Sequence, residues 1–266
     1  MNKKLYFSGL VLVFLCFLSA CEKNSFNQNN KNQYKNVLES PYEDYGANHN
    51  LILNQFSPDP SDLPTLSEVV TELYDPSFGM SEAQMISMIE DNINQHEMTG
   101  YDLGVLLPNL DLTSESEQYL QALNDILKNE EYIVDSYLTL LGSLEDSHNR
   151  IVNLEQEILN DSNFSSNADY APTLITISVA KHSLAFWTNA YSDSSHSYHS
   201  ILSATIENTT NKKINWKGFR DAILIVAGAD LTAALVMAEG GVVEPDVFVG
   251  VTAITSAIAA GAVLLL

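Results

Sequence analysis

Apolar side chains recur every three or four residues along most of this chain, and this spacing constrains the fold more than any other sequence feature. The longest periodic stretch runs from Tyr132 to Leu159. Its inward positions keep near-heptad spacing: Val134, Tyr137, Leu141, Leu144, His148, Ile151 and Ile158. Because about 3.6 residues make one helical turn, these side chains share one face of a helix. The stretch therefore predicts a long bundle helix.

Four shorter segments begin with Ser or Thr followed three residues later by Glu or Gln, which is the signature of a capping box. The four pairs are Ser40 and Glu43, Thr65 and Glu68, Ser81 and Gln84, and Ser114 and Glu117. Pro172 is predicted to begin a further helix that ends near Tyr191. Strand alternation is nearly absent. The sequence predicts an all-α fold, an irregular multi-helix bundle over residues 39–210.

Residues 211–266 have a different character and predict an apolar helical hairpin. The first arm is Trp216–Glu239, the turn contains Gly240, Gly241 and Pro245, and residues 247–266 carry no charge. Twenty such residues cover about 30 Å as a helix, which is also the length of a membrane span. Asp230 interrupts the first arm, and Gly and Ala dilute the second arm. We therefore expect the hairpin to pack on the bundle.

The first 21 residues predict export and lipid attachment. Lys3 and Lys4 precede an uncharged run, Leu5–Leu18, which is too short to span a bilayer. The following Leu18-Ser19-Ala20-Cys21 resembles the lipobox of bacterial lipoproteins. This resemblance implies a signal peptide over residues 1–20, cleavage before Cys21, and palmitate-type acyl chains on Cys21. The protein would be exported and anchored to the bacterial cell membrane or outer membrane, with no leaflet specified.

Composition and charge exclude several kinds of site and partner. Cys16 and Cys21 are the two cysteines, so a mature chain that begins at a lipidated Cys21 has no thiol for a disulfide, a metal site or a nucleophile. Residues 21–38 are polar and rich in Asn, which indicates a lipidated flexible tether.

The formal charge is −22, and Asn36 to Leu127 holds 17 acids without Lys or Arg. Nucleic acid is therefore excluded as a partner. The expected partner is the membrane, through the lipid on Cys21, and no protein partner is indicated.

A second resemblance covers most of the chain. The residues are Ser40-Pro41-Tyr42-Glu43, Gly46, His49 and Asn50, then Lys181, Ser183 and Trp187, and finally Trp216, Asp230 and the Gly/Ala-rich hairpin. This pattern resembles a set of short helical proteins from Bacteroidota. The resemblance implies a helical fold and no particular activity.

Two groups of residues are candidate sites. Tyr45, His49 and Asn50 could form a polar cluster. The position of His49 on an apolar face favours instead a core histidine bonded to a tyrosine or a backbone carbonyl. Asp193, His196 and His199 are spaced so that, on a helix, they could approach one zinc-like ion. The Ser-rich surroundings of this second group favour a loop instead. No cofactor is predicted.

Other chemical motifs are missing or incomplete. The segment from Asn109 to Leu120 begins like an EF-hand, but Ser114 replaces the required Gly and Leu120 replaces the bidentate Glu. It is better explained as a loop and the first turn of a helix. The sequence contains no zincin, nucleophile-elbow, Walker or dinucleotide motif.

Three functional hypotheses remain open. The first is a non-enzymatic lipoprotein that acts by binding or by structural contact at the cell envelope. The second is a membrane-active, toxin-like protein that inserts its C-terminal hairpin into a bilayer. The third is a metal-dependent enzyme that uses the region of His196 and His199. The absence of catalytic motifs favours the first hypothesis, the apolar tail the second, and local residue spacing the third.

Overall fold

The computed structural model of the chain describes residues 38–55, 65–73, 81–84, 86–87, 90, 103–128, 132–162, 170–199, 202, 215–239 and 252–253. Within these residues every regular element is helical, so the all-α prediction is confirmed. The helices are α1 (Glu43–Leu53), α2 (Leu66–Leu73), α3 (Leu103–Leu106), α4 (Ser114–Leu127), α5 (Tyr137–Asn160), α6 (Ala171–Ser192) and α7 (Trp216–Glu239). A 3-10 turn, Leu107–Asn109, follows α3. The predicted signal peptide and the tether up to residue 37 lie outside the described residues.

Helix α6 is the centre of the bundle. It contacts α1, α4, α5 and α7, and 15 of its 22 residues are buried. A helix covered on nearly every side needs small or apolar residues all round, and α6 supplies them from Thr173 to Tyr191. Trp187 is fully buried there. Any charged side chain on α6 must therefore find its partners on the neighbouring helices.

Helix α5 begins five residues later than the apolar spacing suggests. Ser136 and Thr139 form a capping box, in which each side-chain oxygen accepts the other residue's backbone N–H, at 3.0 and 3.3 Å. This cap places the first helical residue at Tyr137 rather than Tyr132. The buried apolar side chains of α5 are Leu140, Leu144, Ile151, Leu154 and Ile158.

The structure tests three of the four predicted capping boxes here, those at Thr65, Ser81 and Ser114. Thr65 with Glu68 and Ser81 with Gln84 form the reciprocal bonds of the capping box, so these two predictions are confirmed. The cap of α4 is Thr113 rather than Ser114, because the Thr113 hydroxyl accepts from the Ser116 N–H at 3.2 Å.

Helix α7 has the bounds that the sequence predicts for the first arm of the hairpin, Trp216–Glu239. It packs on α6, and its buried apolar residues include Ile223, Val226, Leu231 and Leu235. Among the described helices, none combines the length and hydropathy needed to cross a membrane. The predicted second arm lies outside the described residues except for Thr252 and Ala253.

Helix α1 lies on α6 at the position of Gly46. A Cβ atom on Gly46 would overlap the backbone carbonyl of Ser178 and come within 2.5 Å of His182 Cδ2. The absence of a side chain therefore allows the two backbones to approach closely. The compact helical unit begins at Leu38. There the Leu38 backbone exchanges hydrogen bonds of 3.0 and 2.8 Å with the Gln156 side chain of α5.

Replacement by Ala should have opposite effects on the free energy of unfolding at Gly46 and at Gly142. A Cβ on Gly142, inside α5, meets no atom within 4 Å, so Gly142→Ala should raise the free energy of unfolding by about 0.5–1 kcal/mol through helix propensity. Gly46→Ala should lower it by about 1–3 kcal/mol, because the added methyl group forces α1 away from α6. Urea unfolding followed by helical circular dichroism measures both. Equal effects of the two substitutions would contradict the close contact at Gly46.

Candidate functional site

Glu43, the first residue of α1, forms charged contacts with α6. Its carboxylate accepts from Lys181 Nζ at 2.5 Å and lies 2.8 Å from His182 Nε2, both on α6. The sequence predicts instead that Glu43 caps the Ser40 backbone, and this prediction is wrong. Helix α1 has no side-chain cap, because the Glu43 carboxylate is bound to α6. The buried Ser40 hydroxyl accepts from the Tyr42 N–H at 3.2 Å.

Lys181 joins three helices. Its ammonium group donates to Glu43 of α1 at 2.5 Å and to Glu155 of α5 at 2.6 Å. The Lys181 side chain is 12% exposed and that of Glu155 only 3%. Burial would lower the pKa of Lys181, but the charges of Glu155 and Glu43 outweigh burial and raise it. Lys181 therefore stays charged and holds the ends of two acidic side chains together.

The two carboxylates respond differently to this environment. Burial acts to raise the pKa of Glu43, but the hydrogen bond from His182 and the charge of Lys181 lower it from 4.5 to about 2. Burial is the dominant influence on Glu155 and raises its pKa despite the nearby Lys181. Glu155 also has a buried oxygen, Oε1, without a hydrogen-bond partner among the described residues. Glu155 is thus the carboxylate that depends most on Lys181.

A second polar group lies deeper, where α1, α6 and α7 meet. Ser183 of α6 donates a hydrogen bond to Asp230 Oδ2 of α7. His49 Nε2 of α1 lies 3.5 Å from the same oxygen. All three side chains are fully buried. Asn50 completes the group, because its Oδ1 lies 3.0 Å from His49 Nδ1 and its amide donates to the His182 carbonyl at 2.8 Å.

This arrangement of Ser, Asp and His differs from that of a catalytic triad. In a triad the imidazole lies between the hydroxyl and the carboxylate and accepts the hydroxyl proton. Here Asp230 lies between Ser183 and His49, so the hydroxyl donates to the carboxylate instead. Because none of the three side chains contacts solvent, the group joins helices and does not present a nucleophile to a substrate.

The structure brings together two of the three residues of the first candidate cluster. His49 and Asn50 are bonded to each other, whereas the Tyr45 ring packs against Tyr42, with 6.0 Å between the ring centroids. His49 is a core residue, but its side-chain contacts are Asn50 and Asp230 rather than a tyrosine or a carbonyl.

The second candidate group does not form a metal site. Helix α6 ends at Ser192, so the three residues do not share one helix: Asp193 follows its end, His196 lies in a bend and His199 lies in a separate helical turn. They therefore lose the spacing that the metal hypothesis required. Asp193 Oδ1 accepts from the backbone and hydroxyl of Ser195, and His199 Nδ1 donates to the Ala190 carbonyl at 3.3 Å. The part of the chain that the structure describes contains no cluster of His, Cys, Asp and Glu able to hold a metal ion.

Sequence reasoning did not assign Glu155, His148 or Lys181 to a site. Glu155 and His148 have the sequence context of ordinary surface or core residues of a periodic helix, and Lys181 is singled out only by the second resemblance. One signal in the sequence could have identified Glu155. It lies seven residues after the inward-facing His148, and so on the same helix face, where an apolar residue is expected. Asp230 gave the same signal within α7.

Comparison of the chain with protein-family models, with curated proteins and with solved structures finds no match. The chemistry of the two polar groups is therefore the basis for assigning a role to the helical unit. Both groups lie between helices. The outer group consists of Glu43, Glu155, Lys181 and His182. Its exposed edge is formed by Glu43 and His182, whose side chains are 35% and 19% exposed.

Replacing Lys181 tests whether the outer group holds the bundle together. Lys181→Met should lower the free energy of unfolding by about 3–5 kcal/mol, because it leaves the buried Glu155 without its cation. Adding Glu155→Gln should recover part of that loss. Lys217→Met, at an exposed lysine of α7, is the control and should change stability by less than about 0.5 kcal/mol. Additive effects of the two buried substitutions would contradict the coupling.

Because of the buried His148 side chain, the folded state should lose stability in mild acid. Burial and the nearby charges of Lys181 and His182 lower its pKa from 6.5 to about 4. The folded state therefore resists a proton that the unfolded chain accepts, so stability falls as the pH drops from about 6.5 towards 4, by up to about 3 kcal/mol. His148→Gln should flatten this slope in urea unfolding curves taken between pH 7.5 and 4.5. The control is His199→Gln, outside the cluster; equal slopes for the wild type and His148→Gln would refute the assignment.

Proposed function

We propose that this chain is a bacterial lipoprotein, anchored through lipid on Cys21, whose helical unit acts by binding or by structural contact at the cell envelope. The observation that carries the proposal is the N-terminal pattern of Lys3, Lys4, an uncharged core and Leu18-Ser19-Ala20-Cys21. A single acyl chain binds a membrane weakly and reversibly, whereas several chains hold stably. The anchor does not need basic residues, which suits a protein of net charge −22.

The contacts of the polar residues support a non-enzymatic role for the helical unit. Lys181, which could otherwise act as a nucleophile or a base, is bound by two carboxylates. Ser183 and His49 are fully buried, and each contacts Asp230 rather than the other. These side chains use their polar atoms to hold α1, α5, α6 and α7 to one another. A partner would then meet the outer surface of the unit.

The contacts of α7 also weigh against the membrane-active alternative. Insertion of the hairpin would require α7 to leave α6, which would strip Asp230 from Ser183 and expose the apolar faces of both helices. A carboxylate at the centre of an inserted helix costs about 2.5–3.5 kcal/mol on translocon scales. The metal-enzyme alternative loses its main support, because Asp193, His196 and His199 do not lie on one helix.

The two cysteines provide a matched test of the anchor. Cys21→Ser should abolish lipid attachment and shift the protein from the membrane fraction to the soluble fraction, because no other cysteine remains after cleavage. Cys16→Ser should change neither property, since Cys16 leaves with the signal peptide. Mass spectrometry of the N-terminal peptide and cell fractionation measure both effects.

The outcomes of this test separate the hypotheses. An unmodified Cys21 in a chain with an intact N-terminus would falsify the lipoprotein proposal. A Cys21→Ser protein that stays in the membrane after a high-salt wash would point to bilayer insertion by another segment, as in the toxin-like hypothesis.

A further inference from the structure

The side-chain amide of Asn50 has one chemically consistent orientation. Its Nδ2 faces the backbone carbonyl of His182 at 2.8 Å, and a carbonyl oxygen can only accept. The amide nitrogen must therefore point to His182, which leaves Oδ1 facing His49 Nδ1 at 3.0 Å. The reverse orientation would place two oxygens against each other. Because Asn50 Oδ1 can only accept, His49 Nδ1 carries a hydrogen atom.

The other nitrogen of the same ring faces a carboxylate. His49 Nε2 lies 3.5 Å from Asp230 Oδ2, and both side chains are fully buried. Nε2 forms no hydrogen bond among the described residues, so this contact is one of charge. A neutral imidazole with its hydrogen on Nδ1 has a bare lone pair on Nε2. That lone pair would face an oxygen that already accepts the hydroxyl hydrogen of Ser183, as expected of an anion. Two electron-rich atoms would then be buried opposite each other, which is unfavourable at low dielectric.

We propose that His49 carries a proton on Nε2 and is an imidazolium held between Asn50 and the carboxylate of Asp230. The resulting charge pair between His49 and Asp230, called the joint below, connects α1 to α7. The joint crosses α6, which supplies both Ser183 and the His182 carbonyl. The other titratable groups of this region are Glu43 on α1, Glu155 on α5, and Lys181 and His182 on α6, which form the outer group, and His148 on α5, which lies near it. The attraction between the charged ring of His49 and the carboxylate of Asp230 is what connects α1 to α7.

This joint would act on the first described helix of the chain. Helix α1 follows the N-terminal segment, and its contacts with α6 include the ion pairs of Glu43, the bond from the Ser178 hydroxyl to the Glu43 carbonyl, the close contact at Gly46 and the Asn50 bond. The proton adds a contact that reaches past α6 to α7. The inference does not depend on lipid attachment, so it can fail while the proposed function stands.

Nitrogen NMR of the full mature chain in detergent micelles tests the charge state directly. With ¹⁵N-labelled histidine at pH 7.5, both ring nitrogens of His49 should show the shifts of an imidazolium. Asp230→Asn should convert His49 to the neutral ring with its hydrogen on Nδ1. A neutral His49 in the wild type at this pH would overturn the proposal.

Hydrogen exchange of the α1 backbone is the second measurement. Asp230→Asn should speed exchange of the α1 amides at least tenfold, which corresponds to about 1.4 kcal/mol. Asp221→Asn, at a 44% exposed carboxylate of the same helix, should leave the α1 rates unchanged. If Asp230→Asn fails to fold, Ser183→Ala keeps the carboxylate, and His49 should remain an imidazolium in that variant. Equal α1 exchange in folded Asp230→Asn and the wild type, or a neutral His49 in Ser183→Ala, would refute the joint.

Discussion

Lys181 is a charged residue on α6, the helix that the rest of the bundle surrounds. Because of this position, two other helices must supply carboxylates that bind it. A buried cation is costly unless carboxylates compensate its charge. Glu43 supplies one carboxylate from α1 and Glu155 supplies the other from α5. The three side chains consequently fix where α1 and α5 lie along α6. Apolar contacts alone would tolerate small sliding movements, whereas an ion pair near 2.6 Å does not.

Buried ion pairs contribute less to stability than their Coulomb energy suggests, because both charges must leave water. The apolar core, which includes Trp187, Leu184 and Ile177 on α6, supplies most of the driving force for folding. The polar groups act on a different property, the uniqueness of the packing. Slipping α1 by one residue would separate Glu43 from Lys181, His49 from Asp230, and Gly46 from Ser178 at the same time.

The two polar groups differ in their access to solvent, and this difference bears on function. The outer group reaches the surface at Glu43 and His182, whereas the inner group of Ser183, Asp230 and His49 is sealed. Sealed groups can transmit a change of charge into helix packing but do not meet a substrate. A helical unit built in this way suits the proposed role at the cell envelope, in which its outer surface makes the contacts and the N-terminal cysteine supplies the attachment.

Local sequence determined the helices, whereas tertiary structure decided the use of the polar residues. The bounds of α7 follow from the sequence, and so do the caps at Thr65 and Ser81, because spacing and capping act within a few residues. The start of α5 did not follow from apolar spacing, because the cap at Ser136 outweighs the pattern before it. Glu43 shows most clearly what local sequence does not determine. Its sequence context favours a cap on Ser40, but Lys181, 138 residues away, offers its carboxylate a full charge. Which carboxylate meets which cation depends on how the helices pack, and no local pattern encodes that pairing.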